Sequence, residues 1–414
     1  MGKPRIRFTG YTDEWEQRKL GDISSSFEYG LNAAAKEYDG ENKYIRITDI
    51  DDNTHEFLTD GLTSPDVDLN GAENYKLAEG DILFARTGAS VGKSYIYRAS
   101  DGLVYYAGFL IRARIKEEFD AEFVFQNTLT DRYNKYIAVT SQRSGQPGVN
   151  AQEYSEFEIQ VPKKDEQTKI GAYFRSLDHL ITLHQRKCEE MKTLKNYMLQ
   201  KMFPQNGQSV PEIRFAGFTD AWEQRKLGDI ADVTKLAGFE FTEHVVYSDE
   251  GNIIALRGLN IKNGQLVLDD VKYIDDSNFA KLNRSKLYVN DIMFTYVGTV
   301  GEVAIIKEND RFYLAPNVSR IRIESNDSPE YISQYMRTEQ FYRTVIFPLI
   351  ATSSQPALSM ENIRKFTIYL PSDKEEQKSI ADALNSLDHL ITLHQHKCSE
   401  LQNIKKYMLQ NMFA

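Results

Sequence analysis

The sequence predicts an α+β protein in which two repeated α+β domains are joined by two long antiparallel coiled-coil helices with pseudo-twofold symmetry. Three observations lead to this fold class. The two halves of the chain share their end segments, the segments in between alternate in the manner of β-strands, and each half closes on a helix with a continuous apolar stripe. A chain of 414 residues has room for two or three domains, each with its own core.

The repeat is visible at both ends of each half. Residues 4–23 match residues 211–230 at 16 of 20 positions, and residues 176–203 match residues 386–413 at 20 of 28. Between these blocks the copies diverge. This pattern indicates one function that both copies share and a second function that differs between the copies.

Each diverged middle is rich in Ile, Val, Phe, Tyr and Thr, in short runs that Gly, Asn and Asp interrupt. Such runs are typical of strands and turns. Helical patterns are fewer, at residues 121–136 and 329–344. The sequence therefore predicts two compact domains, at residues 1–162 and 205–371.

Two long helices are predicted at residues 163–204 and 372–414. Their apolar residues alternate in steps of four and three, which is the spacing of a coiled-coil stripe. The matching stripes predict that the helices pack on each other, although a helix packed only on its own domain would also carry a stripe. The predicted seam comprises Ile170, Phe174, Leu177, Ile181, His184, Cys188, Met191, Ile380, Leu384, Leu387, Ile391, His394, Cys398 and Leu401.

Composition predicts a cytoplasmic globular protein. The apolar runs are shorter than the roughly 18 residues that cross a bilayer, the first residues lack the apolar stretch of a signal peptide, and two cysteines are too few for a disulfide framework. The net charge is −10, with 18 basic and 27 acidic residues in residues 1–160, and 18 and 22 in residues 211–370. Charge alone therefore argues mildly against a nucleic-acid ligand.

The loop at residues 88–94 resembles a phosphate-binding P-loop, but its glycines are one residue too close together. In the second copy, Glu302 takes the place of Lys93 and would repel phosphate. We therefore predict a glycine-rich turn between strands. No other arrangement in the sequence indicates a catalytic residue.

A possible metal motif lies on the predicted seam. His184 and Cys188 are four residues apart and recur as His394 and Cys398, a set that has the chemistry of a zinc site. Polar or small residues on a seam more often set the register of the helices. We therefore predict no metal site.

The repeated blocks and the motifs between them resemble the specificity (S) subunit of type I restriction-modification enzymes, over essentially the whole chain. Each motif alone is weak, but together and in duplicate they are specific. They are WEQRKLGDI at 15–23 and 222–230, GDILF at 80–84 with DIMF at 291–294, Val161-Pro162 with Glu166-Gln167, and Leu370-Pro371 with Glu376-Gln377.

The resemblance implies that each middle is a target recognition domain that reads one half of an asymmetric bipartite site in double-stranded DNA. The long helices would fix the spacing of these domains and dock two modification subunits, which bind S-adenosylmethionine and methylate adenine N6. Restriction subunits, which use ATP and Mg, would complete the nuclease. The chain itself is expected to be noncatalytic and to bind no cofactor directly. Because both middles are acidic, we expect the partners to supply much of the phosphate neutralisation.

Base contacts are expected from polar side chains on loops, because bidentate hydrogen bonds to base edges distinguish the base pairs. The candidates occupy matched loops of the two copies, and each could also be an ordinary turn residue. They are Arg46, Thr48, Asp49, Arg86, Thr87, Lys93, Gln142, Arg143 and Gln146 in the first domain, and Arg257, Asn260, Tyr296, Thr299, Asn317, Ser353, Ser354 and Gln355 in the second.

Two other functions stay open on the sequence alone. The chain could be a self-sufficient enzyme that uses the loop at residues 88–94 to bind a nucleotide. It could also be a protein-interaction scaffold without DNA, whose helices dimerise. Nucleotide binding by the purified chain would favour the enzyme, and an assembly that does not depend on DNA would favour the scaffold.

Overall fold

The computed structural model describes residues 3–143, 145–205, 207–350 and 356–413. Its contacts divide the chain into two compact units. The first unit combines residues 1–186 with residues 394–414, and the second comprises residues 187–393. The division cuts through both long helices, so each unit consists of a globular head from one repeat and parts of both helices.

The elements of the first repeat, in chain order up to the end of the first long helix, are β1 (Glu16–Lys19), α1 (Leu20–Ile23), β2 (Ser24–Tyr29), β3 (Ala34–Glu37), β4 (Lys43–Ile45), β5 (Thr63–Asp66), β6 (Ile82–Ala85), β7 (Ser94–Ile96), β8 (Val104–Tyr106), β9 (Leu110–Ile115), α2 (Ala121–Asn127), α3 (Asp131–Thr140), α4 (Ala151–Ser155), β10 (Glu158–Val161) and α5 (Lys164–Lys201). The head of the first unit is built around a four-stranded antiparallel sheet of order β2-β9-β6-β7. In addition, β1 pairs with β10, β3 pairs with β5, and β4 runs parallel to β8.

The elements of the second repeat are β11 (Glu223–Lys226), β12 (Ala231–Lys235), α6 (Gly238–His244), β13 (Ile254–Leu256), β14 (Ile261–Lys262), β15 (Gln265–Leu266), β16 (Lys272–Tyr273), β17 (Ile292–Thr295), β18 (Val303–Ile305), β19 (Phe312–Leu314), β20 (Val318–Ile323), α7 (Pro329–Met336), α8 (Glu339–Phe341), α9 (Met360–Arg364), β21 (Thr367–Leu370) and α10 (Lys374–Met412). The head of the second unit repeats the plan of the first, with a four-stranded sheet β12-β20-β17-β18, a β11-β21 pair, a three-stranded sheet β16-β13-β19 and a β14-β15 pair.

The repeated WEQRKLGDI block closes each head. Its EQRK part forms β1 or β11, which pairs antiparallel with the last strand before the long helix. The tryptophan that precedes the strand is buried, Trp15 against Phe123 and Trp222 against Tyr331, with 5.9 Å between ring centroids in both cases. The block is therefore shared because it joins the two ends of each head and anchors them in the core.

A buried ion pair connects the first motif of each repeat to the start of its long helix. Arg7 donates through Nε and Nη2 to the two carboxylate oxygens of Glu166, at 2.6 and 2.8 Å, and only 1% of the Glu166 side chain is exposed. Arg214 and Glu376 repeat this pair with the same two distances. A bidentate guanidinium is the partner that best satisfies a buried carboxylate.

The end of each long helix completes the core of the head from the other repeat. Phe413, which follows α10, packs against Phe123 and Phe174 in the first unit, with ring centroids 5.4 and 5.5 Å apart. Phe203, which follows α5, packs against Tyr331 and Tyr335 in the second unit, at 5.6 and 5.3 Å. The sequence repeats and the structural units therefore do not coincide.

Within the first unit, the two helices run antiparallel and are bonded to the head through one carboxylate. Asp178 of α5 forms an ion pair with Lys405 of α10 at 2.5 Å and accepts a hydrogen bond from Gln126 of α2 at 2.9 Å. Further along α5, His184 meets His394 of α10, so residue numbers rise along one helix as they fall along the other. The second unit has the same cluster, formed by Asp388, Lys195 and Gln334.

The α+β class with paired long helices is confirmed, and the residues of the predicted seam are buried or half-buried. The first turns of α5 and α10 also enter the cores of their own heads, so the stripe serves both kinds of packing. Among the described residues, no helix is long and apolar enough to cross a membrane. The buried seam residues are Ile170, Phe174, Leu177, Ile181, Cys188, Ile380, Leu384 and Leu401, and the half-buried ones are His184, Met191, Leu387, Ile391, His394 and Cys398.

The helices predicted at residues 121–136 and 329–344 are interrupted. In the first head α2 ends at Asn127 and α3 begins at Asp131, because the Thr130 hydroxyl accepts the N–H of Tyr133 and caps the new helix. Thr338 caps α8 in the second head in the same way. Apolar spacing did not reveal the break because it continues across the caps.

The first test concerns the buried ion pair. Arg7→Ala leaves the Glu166 carboxylate buried without a partner, so we expect the free energy of unfolding to fall by about 3–5 kcal/mol in urea titrations. The control is Arg18→Ala, because Arg18 pairs with Glu16 on the exposed side of β1 and should contribute no more than about 1 kcal/mol. Equal effects of the two substitutions would contradict the assigned role of Arg7.

The second test uses the pH dependence of stability. Burial and the positive charge of Arg337 lower the pKa of Lys195 from its usual value of 10.5 to about 8. Between these values the unfolded chain binds more protons than the folded one, so this residue makes the free energy of unfolding rise with pH above about 8. Lys195→Met should reduce that rise between pH 8 and 9.5 in urea titrations. Lys36→Met, on the exposed strand β3, should leave the wild-type slope, and an unchanged slope in Lys195→Met would refute the assignment.

Candidate nucleic-acid interface

The first group of candidates in the first head forms a self-contained turn after β4. The Arg46 backbone N–H donates to Asp49 at 2.9 Å, and the Arg46 guanidinium makes two further bonds to the same carboxylate, both at 2.8 Å. Thr48 is exposed and donates to Asp49 at 3.2 Å. Both charges of this group are therefore engaged with each other.

The matched turn of the second head follows β13 and is closed by Asn260. Its Oδ1 accepts the Arg257 backbone N–H at 3.1 Å, and its Nδ2 donates to the carbonyls of Val267 and Asp270 at 2.9 and 2.8 Å. Asn260 is fully buried. Its placement is at odds with base reading, because a buried amide with satisfied hydrogen bonds cannot reach a base edge without opening the turn.

The second and third groups of candidates in the first head meet in space. The Arg86 backbone N–H donates to the Phe109 carbonyl at 3.1 Å, and the Arg86 carbonyl accepts the Val149 N–H at 2.9 Å. The Gly88 N–H donates to the Pro147 carbonyl at 3.0 Å. The loops after β6, after β8 and after α3 therefore form one surface, which we call the loop face of the first head.

The second head has a matching loop face. The Tyr296 N–H donates to the Asn317 carbonyl at 3.1 Å, and the Tyr296 carbonyl accepts the Leu358 N–H at 2.9 Å. The Gly298 N–H donates to the Pro356 carbonyl at 2.9 Å. Ser353, Ser354 and Gln355 lie outside the described residues.

The glycine-rich loop at residues 88–94 joins β6 to β7 in an antiparallel hairpin. Gly88 and Gly92 have φ values of 79° and 88°, and the side chain of Ile137 leaves no room for a Cβ at Gly92. A strand follows the loop, whereas a phosphate-binding loop opens a helix whose N-terminus faces the anion. This placement agrees with a turn between strands.

Most of the charged candidates are engaged with neighbouring groups. Lys93 forms an ion pair with Asp52 and donates to the Ile50 carbonyl at 3.0 Å, and Arg143 forms an ion pair with Glu153 at 2.5 Å. The exposed candidates are Thr48, Gln142, Arg143, Gln146, Thr299 and Asn317; the half-buried ones are Arg46, Asp49, Arg86, Thr87, Lys93 and Arg257; the buried ones are Asn260 and Tyr296.

Arg86 is held by aromatic rings. Its guanidinium carbon lies 5.1 Å from the ring centroid of Tyr29 and 5.8 Å from that of Phe109. Both rings are exposed, Tyr29 at 43% and Phe109 at 61%. Sequence reasoning missed these two aromatics. Their signal is the glycine that follows Tyr29: a Cβ at Gly30 would fall 2.2 Å from the Ala107 carbonyl oxygen, so the close approach of these two segments requires glycine there.

In the second head the corresponding cation is Lys235, which sequence reasoning also missed. Its Nζ lies 5.5 Å from the ring centroid of Tyr296, and burial raises the pKa of that phenol. Asn317 lies beside this pair, exposed and in the left-handed region with φ 72°. Asparagine tolerates this conformation better than most residues, which explains its place in the tight turn between β19 and β20.

The histidine pair on the helices is a hydrogen bond within the first unit. His184 Nδ1 lies 2.9 Å from His394 Nδ1, so one ring donates and the other accepts, and at least one of them is neutral. Burial and the neighbouring charge of His394 lower the pKa of His184. Among the described residues, no group of three or more His, Cys, Asp or Glu side chains is arranged to hold a metal ion.

One protein family matches both copies of the repeat. The family described as the type I restriction modification DNA specificity domain matches residues 12–193 and again residues 219–403. The chain belongs to this family. The two matched ranges cover both heads and most of both long helices of this DNA specificity protein.

Similar proteins of this type I specificity family span nearly the same length. The MjaVIII specificity subunit of Methanocaldococcus jannaschii is 21% identical over 405 residues, which cover 96% of this chain and 91% of the relative. The putative MjaX specificity subunit of the same organism is 23% identical over 412 residues, covering 96% and 92%. The crystal structure of the type I S subunit from M. genitalium aligns with a TM-score of 0.69 at 12% identity, over 100% of this chain and 99% of that one, and shows the same fold.

The third test separates turn residues from base readers in this specificity protein. Asn260→Ala removes three hydrogen bonds of a buried turn, so the free energy of unfolding should fall by about 1–3 kcal/mol in urea titrations. Thr299→Ala, at an exposed position of the same head, should change it by no more than about 0.5 kcal/mol. An Asn260→Ala protein of wild-type stability but altered DNA preference would overturn the structural role of Asn260.

Proposed function

We propose that the chain is the DNA sequence-specificity subunit of a type I restriction-modification complex, and that each head reads one half of an asymmetric bipartite site. One observation carries this proposal. The two heads share the contacts that build the framework but differ in the side chains of their matched loop faces. A shared framework with different loops suits two readers of different sequences.

The repeated parts support docking of the same partner twice. Both long helices contribute to both units, and residues 176–203 and 386–413 are identical at 20 of 28 positions. We propose two modification subunits as the partners, each of which binds S-adenosylmethionine and methylates adenine N6. Relatives that match the chain over almost its whole length are named as specificity subunits, which supports this assignment.

The charge distribution supports weak DNA binding by the chain alone. Both heads are acidic, and Arg46, Arg143, Arg257 and Lys93 form ion pairs within their heads. Phosphate neutralisation normally supplies much of the affinity for DNA. We therefore propose that the modification subunits provide most of the phosphate contacts and that the heads provide the choice of bases.

We propose that the chain itself is noncatalytic. S-adenosylmethionine would bind to the modification subunits, and ATP and Mg to restriction subunits where these are present. The hairpin at residues 88–94, the strongest sequence candidate for a nucleotide site, is followed by a strand, and its lysine is paired with Asp52. These features favour a recognition role over an independent enzyme.

The decisive experiment is co-expression with the modification subunit in a host without adenine methylation, followed by genome-wide mapping of N6-methyladenine. We expect methylation at one asymmetric motif with two specified parts and an unspecified gap. The control is the modification subunit expressed alone, which should methylate no such motif.

An intact, soluble complex that methylates nothing would contradict the proposal and favour the protein-interaction scaffold. ATP binding by the purified chain would favour the independent enzyme. Tight, sequence-specific DNA binding by the chain alone would contradict the proposal that the modification subunits provide most of the phosphate contacts. It would not contradict the reading of DNA by the heads.

A further inference from the structure

One side-chain pair occupies the same framework position in both heads with its residue types exchanged. In the first head, Tyr29 ends β2 and its ring lies 5.1 Å from the guanidinium of Arg86, which follows β6. In the second head, Lys235 ends β12 and its Nζ lies 5.5 Å from the ring of Tyr296, which follows β17. The cation has moved from one side of the pair to the other.

The backbone shows that these positions are equivalent. Tyr29 is paired with the second residue of β9, and Lys235 with the second residue of β20. The backbone N–H groups of Arg86 and Tyr296 donate to the turns that precede β9 and β20, respectively. Their carbonyls accept hydrogen bonds from the loops that lead into α4 and α9. The frame is the same, and only the side chains differ.

Arg86 and Lys235 differ from the charged candidates around them. Within the described parts of the chain, neither cation forms an ion pair or a side-chain hydrogen bond, and both are held by contact with an aromatic ring. A ring fixes the direction of a cation without using its hydrogen-bond donors. The five N–H donors of Arg86 therefore have no hydrogen-bond partner among the described residues, and the aromatic contacts restrain the position of the guanidinium.

We propose that Arg86 is the specificity-determining residue of the first head and that it reads a guanine through O6 and N7 in the major groove. A planar guanidinium makes two parallel hydrogen bonds to that edge, which is the commonest specific contact between protein and DNA. Tyr29 and Phe109 restrain the position of the guanidinium. Lys235 takes the corresponding role in the second head from the opposite member of the pair, so the two heads present different cations to their half-sites. This inference rests on the proposed function.

The test is methylation mapping with Arg86→Gln in the complete complex with the modification subunit. The wild-type motif should contain a G·C pair in one half, and Arg86→Gln should lose the preference for that pair by about tenfold or more while the other half stays unchanged. Lys36→Ala, which removes an exposed cation from β3 of the same head, should keep the wild-type motif.

Two further variants keep the test informative if Arg86→Gln does not fold. Arg86→Lys retains the charge beside the ring but lacks the planar fork, so the preference for the G·C pair should weaken without disappearing. The double variant Tyr29→Lys with Arg86→Tyr copies the arrangement of the second head, and it should change the preferred base at the affected position while the complex still assembles.

The outcomes distinguish this inference from the function on which it rests. A wild-type complex without any gapped motif would overturn both. A gapped wild-type motif that Arg86→Gln and the double variant leave intact, or that they relax equally in both halves, would overturn the role of Arg86 alone. Loss of preference for one G·C pair in one half supports it.

Discussion

The structure depends on hydrophobic side chains that each repeat contributes to the core of the head formed by the other repeat. Phe413 at the end of α10 fills the core of the first head, and Phe203 at the end of α5 fills the core of the second. Aromatic side chains contribute large buried areas, so a head that lacked the phenylalanine from the other repeat would have an incomplete core. Neither repeat can therefore form a complete unit from its own residues. This requirement fixes the antiparallel course of the helices inside each unit and explains why the helix ends are among the best-preserved parts of the repeat.

Buried polar clusters limit what the framework can change. Glu166 and Asp178 lie within the protein interior or close to it, and each depends on a cation from a distant part of the chain. Losing one partner of such a pair costs more than the pair itself contributes, because the other charge is left without compensation. Both partners therefore persist together in both copies. Exposed loop residues carry no such penalty, so the loop faces are free to differ between the copies, and such differences change what each head can bind.

The sequence was sufficient for the features that depend on local spacing. The stripe of α5 from Ile170 to Ile181 and the strand-like middles follow from periodicity, and the repeat itself indicated two related heads. It was not sufficient where contacts join distant residues. Tyr29, Arg86 and Phe109 are far apart in sequence and meet because β2 and β6 both pair with β9, which begins just after Phe109. Asn260 was a candidate base reader because the sequence does not reveal whether an asparagine side chain is exposed or buried. The break before Asp131 was missed because a capping threonine does not interrupt the apolar pattern.

Under our proposal, the exchanged pair explains how a duplicated protein can acquire two different reading heads while each keeps a cation beside an aromatic ring. Identical heads would read identical bases, so an asymmetric site requires divergence at positions that face the ligand. A substitution at Arg86 alone would leave the ring of Tyr29 without its cation, and a substitution at Tyr29 alone would remove the nearer of the two rings beside Arg86. Exchanging both residue types keeps a cation beside an aromatic ring, a contact worth about 0.5–2 kcal/mol depending on its exposure. The contact that orders the loop face is thereby retained while the charge, its shape and its point of attachment all change. If Arg86 and Lys235 read bases as we propose, one side-chain pair keeps its stabilising contact while the base that it reads changes.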